Sequence, residues 1–199
     1  MKVIPYASAI GSIMYAMLCT GPDVCLAISL AGRYQSNPGV DPWTTVKTIL
    51  KYLKRTRDMF LVYGGDKELV VSGYVDASFD TDPDDSKSQS GYVFLLNGGA
   101  ASWCSFKQTV VAGSTCEAEY IAASKVANEG VWMKEFIFDL GVIPSASGPM
   151  KIFCDNTAAI ALAKESRFHK RPNTSRDAST TSEIWPRRET WRFAKYIRI

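Results

Sequence analysis

Histidine is nearly absent from these 199 residues: His169 stands alone. The five cysteines, Cys19, Cys25, Cys104, Cys116 and Cys154, contain no C-x-x-C pair. Without that spacing or a second histidine a zinc ribbon or finger is excluded, and an odd, scattered set argues against a disulfide framework. The thiols are expected reduced and mostly buried. Long apolar runs are also missing. The longest, Val3–Cys19, is broken by Pro5, Ser8, Gly11 and Ser12 and gives way to Thr20-Gly21-Pro22-Asp23, short of the roughly 20 residues that a bilayer span needs. Met1-Lys2-Val3-Ile4-Pro5 has neither the charged region nor the small-residue cleavage site of a secretory signal. No membrane anchor and no secretion are expected.

What is present suits one globular domain or two small ones: 46% hydrophobic and 22% charged residues. Charge is unevenly placed. From Lys164 onward ten basic residues face four acidic ones, whereas the preceding part is mildly acidic. A basic tail invites a nucleic-acid reading. Beyond Pro172 neither the helical nor the strand period is visible, so that stretch is expected to be poorly ordered.

Residues 1–57 read as three short helices. Ile10, Met14, Met17 and Leu18 stripe the first, Pro22 opens the second, and Val46, Ile49, Leu50 and Leu53 stripe the third. After Asp58 the period changes to two. Met59–Tyr63, a Gly64-Gly65-Asp66-Lys67 turn and Leu69–Val75 read as a hairpin, followed by strands Gln89–Leu96 and Ala100–Phe106 around Asn97-Gly98-Gly99. A long helix Ser114–Leu140, a strand Lys151–Cys154 and a helix Asn156–Ala163 complete an α/β layer with a mixed sheet.

Three carboxylates occupy pointed places. Asp76 closes a strand; Asp155 follows a strand and precedes a helix, where open α/β sheets put ligand sites. Ser114-Thr115-Cys116-Glu117-Ala118-Glu119 offers two glutamates. Glu117 fits a capping box with Ser114, and at roughly 100° per residue Glu119 borders the apolar stripe Ala118, Ala122, Val126, Met133, Phe136, Leu140. If Asp76, Glu119 and Asp155 converge, their mutual repulsion calls for hard divalent cations, Mg²⁺ or Mn²⁺, and the chemistry is two-metal phosphodiester hydrolysis. Plainer readings stand beside this one. Asp76 starts an acid-rich loop and also fits a solvated turn; Asp155 fits an N-cap; Glu119 alone fits a surface residue. Asp80-x-Asp82-x-Asp84 lacks the glycine and glutamate of an EF-hand, which excludes that calcium loop. His169 reads as a surface residue able to shuttle protons. Trp103, within Trp103-Cys104-Ser105-Phe106-Lys107-Gln108, is expected near the site.

Tyr74-Val75-Asp76-Ala77, Ser90-Gly91-Tyr92, Trp103–Gln108, Ser114–Tyr120 and Cys154-Asp155-Asn156, in this order, resemble the ribonuclease H domain of copia-type retrotransposon Pol polyproteins. Pro5–Ser12, Pro22-Asp23-Val24 and Tyr52–Thr56 resemble the end of the reverse transcriptase that precedes it. The resemblance implies a ribonuclease H-like mixed sheet with covering helices after a small helical segment. Its divisions would be 1–57, the end of reverse transcriptase; 58–171, the ribonuclease H-like part; and 172–199, an aberrant tail. Asp76, Glu119 and Asp155 then match three of the family's four metal-binding carboxylates, and the partner is an RNA:DNA hybrid handled within a larger Pol polyprotein, in the cytoplasm or nucleus. Asn156, Gln108 and Lys107 are the substrate-binding candidates. Gly21, Pro42 and Phe106 depart from the family pattern.

The tail departs furthest. Back-translating Asn173–Trp185 with one added base restores Lys-His-Ile-Lys-Arg-Arg-Phe-Asn-Tyr-Ile-Arg-Asp-Met, the family's continuation. A one-base deletion near codon 173 is therefore expected, with loss of the basic helix, the last strand and helix, and the fourth carboxylate, and with weak or absent cleavage. A non-catalytic nucleic-acid-binding module and a functionless remnant remain as alternatives.

Overall fold

The computed structural model describes residues 5–64, 70–141, 150–164 and 191–195, the last as backbone. Helices α1 (Tyr6–Thr20), α2 (Cys25–Gly32) and α3 (Val40–Arg55) form the first unit, with a 3-10 turn at Pro22–Val24. Pro22 suits the start of that turn, where its missing N–H costs nothing. Pro42 is harmless for the same reason, lying in the first turn of α3. Tyr6, Ile10, Ile13 and Met17 of α1 bury one face against Val24, Ile28, Val46 and Ile49. Tyr6 donates its hydroxyl proton to the Ala31 carbonyl at 2.7 Å, which satisfies the phenol inside that core.

Strands β1 (Val71–Ser78), β2 (Gln89–Leu96) and β3 (Gly99–Lys107) form an antiparallel meander. Asn97 and Gly98, both at positive φ (50° and 84°), turn β2 into β3 in the two-residue geometry that Asn-Gly favours. Helix α4 (Thr115–Asp139) crosses over, β4 (Met150–Cys154) returns parallel to β1, and α5 (Thr157–Lys164) follows. The sheet order is β3-β2-β1-β4-β5. The expected α/β architecture, a mixed sheet with covering helices behind a small helical segment, is the one observed.

One core lies between the sheet and helices α4 and α5. Its centre is Phe94, fully buried, with Gly73 beneath and Gly130 above. A Cβ on Gly73 would come within 2.6 Å of the Phe94 ring, so the absence of a side chain there makes the slot. The opposite face carries a Tyr74–Phe153 stack with centroids 4.9 Å apart, and Trp103 of β3 packs into the helical core. The pairing register of Trp103 with Val93 and Tyr74 turns it to the face that meets the helical unit.

Three expectations change. Met59–Tyr63 forms no strand: Met59 and Phe60 are exposed, while Tyr63 donates to the Ala100 carbonyl at 2.6 Å and packs on the β2–β3 turn. Alternation alone supplies no partner strand. The α4 stripe is buried as far as Met133, but Phe136 and Leu140 are exposed. At 1.5 Å per residue a 25-residue helix outruns strands of five to nine residues. Finally, Trp191–Lys195 forms β5, parallel to β4 from Met150↔Trp191 to Cys154↔Lys195. The tail supplies a last strand at these five residues, because an aromatic-rich segment can satisfy the open backbone edge of β4. The Gly64–Lys67 turn beyond Gly64, His169 and the rest of the tail lie outside the described residues.

Candidate active site

Parallel pairing of Tyr74 with Phe153 sets the ends of β1 and β4 side by side. Asp76 and Asp155 each stand two residues beyond that pair; Asp76 does not close β1 as expected but lies two residues before its end at Ser78, paired with Gly91, and Asp155 directly follows the last residue of β4. The third carboxyl arrives from the covering helix. Ser114 caps α4 by accepting from the Glu117 N–H at 3.2 Å, and Glu117 reaches back to the Gly113 N–H at 2.8 Å. The box expected between Ser114 and Glu117 is thus made at one residue's remove. It occupies the exposed Glu117 and leaves Glu119, only 5% exposed, on the inward side.

Glu119 Oε1 accepts from the backbone N–H of Ala77 at 3.2 Å, and Asp76 Oδ1 accepts from the same N–H at 3.1 Å. Burial, then the charges of Asp76 and Asp155, push the Glu119 carboxyl up to about 7 against the pull of that N–H. The structure therefore brings Asp76, Glu119 and Asp155 together. Cys154 joins them: its Sγ lies 3.9 Å from Glu119 Oε2, and one donor atom each of Glu119, Cys154 and Asp155 fall within 4.8 Å of one another. Burial among these acids raises the Cys154 thiol to about 11, so it stays protonated at neutral pH. The hard ligands are the carboxylates.

Asn156 decides the reading of its neighbour. Its Oδ1 accepts from the Ala159 N–H at 3.0 Å and caps α5, so Asp155 is not the cap. Gln108 is 2% exposed; its Nε2 donates to Ser90 Oγ and to the Ala118 carbonyl, each at 2.8 Å. It is a strut between β2 and the start of α4, one residue before Glu119. Lys107 Nζ lies 2.7 Å from both Asp82 Oδ2 and Asp85 Oδ1, and these contacts hold Asp85 down to about 2. The acid-rich loop is therefore tied by cations. One of them, Arg33, at the end of α2, escapes sequence reading altogether; nothing in the short helix marks it.

No family model matches the chain. It is 44% identical over 171 residues to the retrovirus-related Pol polyprotein from transposon TNT 1-94 of Nicotiana tabacum, a match covering 86% of this chain and 13% of that one. With the corresponding polyprotein from transposon RE2 of Arabidopsis thaliana, identity is 33% over 83% of this chain and 11% of that one. Over most of its length the chain matches a segment of retrotransposon-related Pol polyproteins. This Pol segment spans about an eighth of those polyproteins' length. Secreted RxLR effector protein 161 of Plasmopara viticola is 42% identical over 67% of this chain and 94% of that one, so the region also occurs almost by itself. A ribonuclease H1 structure from Halobacterium salinarum overlaps 64% of the Pol segment and 86% of its own chain, with 13% identity and a TM-score of 0.32. No described helix is long and apolar enough to cross a membrane.

Proposed function

We propose that this Pol segment carries a ribonuclease H-type centre that hydrolyses the RNA strand of an RNA:DNA hybrid, with Asp76, Glu119 and Asp155 as its metal-binding and catalytic residues. The observation that supports this reading is the meeting of three carboxyls at Glu119: Asp76 of β1 shares the Ala77 N–H with it, and Asp155, just past β4, has an oxygen within 4.8 Å of it. A buried acid raised by two acidic neighbours is the electrostatic setting that a divalent cation relieves, and the oxygen donors suit Mg²⁺ or Mn²⁺. When bound, a pair of such ions supplies an activated water on one side of the phosphodiester and charge stabilisation for the leaving oxygen on the other. The chain's own residues do the positioning. The β1–β4 register fixes Asp76 against Asp155, and the Ala77 N–H and the Gln108 strut fix Glu119 above them. Through its Oδ1, Asn156 holds the start of α5 behind Asp155.

The reading includes an impairment. The match to the tobacco relative covers 171 of the 199 residues, about the length that precedes the frame change inferred near codon 173. Beyond it the fourth carboxylate of the family's set is replaced by unrelated sequence, so cleavage is weak or absent. Sequencing of intact copies tests the frameshift, since the same tail in frame elsewhere contradicts it. The ten basic residues from Lys164 onward favour one alternative, a non-catalytic nucleic-acid-binding module in the cytoplasm or nucleus.

A labelled RNA:DNA hybrid incubated with Mn²⁺ separates these readings. The frame-restored chain should cut it, the present chain should cut far more slowly, and Asp76→Asn should silence both. Binding that depends on salt and not on metal supports the module; cleavage unaffected by Asp76→Asn contradicts the assignment.

A further inference from the structure

Arg33 belongs to the helical unit but its side chain reaches the sheet. Nη1 lies 2.7 Å from Asp82 Oδ2, and Nη2 donates to Gln89 Oε1. Gln89 is the register partner of Ser78, the last residue of β1, and its Nε2 donates to Ser105 Oγ at 2.7 Å and Ser29 Oγ of α2 at 3.4 Å. Asp82 is 7% exposed and is the hub of the β1–β2 loop. Besides Arg33 and Lys107 it holds the Asp84 N–H on Oδ1 at 3.0 Å. Its backbone N–H donates to the Lys87 carbonyl at 3.1 Å, and its carbonyl accepts from the Ser86 N–H at 2.9 Å. This loop starts two residues after Asp76's neighbour Ala77 and carries Asp80, Asp82, Asp84 and Asp85.

Four acids beside a site for a polyanion repel it unless they are offset. Lys87, within the loop, pairs with Asp85 at 3.1 Å. The two cations on Asp82 come from outside, Lys107 from β3 and Arg33 from the other unit. We propose that Arg33 is a positioning residue: it fixes and neutralises the acidic β1–β2 loop through Asp82, so that the phosphate backbone of a hybrid can approach Asp76. The ligand rests on the nuclease reading; the positioning does not. On this account the helical unit is an integral part of the site.

The test uses the full chain with Arg33→Gln, Arg33→Lys and Arg33→Gln/Asp82→Asn, reading hydrogen exchange of the Asp82, Asp84 and Ser86 amides and the Kd of an RNA:DNA hybrid at low salt. Arg33→Gln should speed loop exchange and weaken the hybrid by roughly 5-fold, and Arg33→Lys should keep most of both. Adding Asp82→Asn should restore affinity without restoring exchange protection, a split that a purely structural role would not give. Unchanged exchange in Arg33→Gln overturns the proposal, as does an affinity loss that Asp82→Asn leaves in place. If the unaltered chain binds no hybrid, the nuclease reading and the ligand fall together, while loop exchange still decides whether Arg33 positions the loop.

Discussion

Asp76 and Glu119 share one hydrogen-bond donor, the backbone N–H of Ala77, at 3.1 and 3.2 Å. One neutral N–H cannot satisfy two charged carboxylates, and Glu119, the more deeply buried, holds its proton up to about pH 7. Its ordinary value is 4.5. Between those two values the folded chain keeps a proton on Glu119 that the unfolded chain has lost, so this carboxyl's contribution to metal-free stability is full below about pH 4.5, falls as pH rises towards 7, and falls no further above. Glu119→Gln should flatten that slope and stabilise the metal-free protein near pH 8 by about 3 kcal/mol. Urea unfolding of both proteins near pH 5 and pH 8 measures it; equal slopes contradict the assignment.

Gln108 should prove to be a support. Gln108→Ala removes two internal hydrogen bonds at a site 2% exposed and should cost about 2 kcal/mol in denaturant titrations. A variant with unchanged stability and a specific loss of hybrid affinity would return Gln108 to the substrate-binding role.

Gly73→Ala puts a methyl group 2.6 Å from the Phe94 ring and should destabilise by about 1–3 kcal/mol. Phe94→Leu in the same chain should recover part of that loss. Failure of the pair to compensate would show that the slot is not what constrains Gly73.

Trp103 joins the two units, being packed against the helical core from strand β3. Trp103→Ala should cost about 3 kcal/mol. It should also split thermal unfolding, followed by circular dichroism, into separate helical and sheet transitions. A single unshifted transition contradicts the coupling.

Much of the site was legible because its residues obey local rules. The angle between Glu119 and the α4 stripe, the capping demand on Glu117, and the strand end before Asp155 are all short-range facts, whereas β1 runs on past Asp76 to Ser78 because β2 continues to pair with it. The β2–β3 hairpin was legible because Asn97-Gly98 demands positive φ at both positions. The Arg33–Asp82 pair spans 49 residues between two units, and no local pattern encodes that packing. Gln108, a polar residue in a basic, aromatic setting, reads as a ligand group in sequence; its burial and its hydrogen bonds to Ser90 and Ala118 depend on the packing of α4 on β2, which no local pattern shows. Met59–Tyr63 had the strand period without a partner strand. At Trp191–Lys195 the reverse held, since the open edge of β4 recruits a segment without a convincing pattern of its own.

The carboxylate cradle is the central claim, and Mn²⁺ titration calorimetry near pH 7.5 tests it without needing turnover. The unaltered chain should bind Mn²⁺, and Asp76→Asn and Asp155→Asn should each weaken binding by about 10-fold or more. Equal affinity in all three proteins, or no binding to the folded unaltered chain, would contradict it.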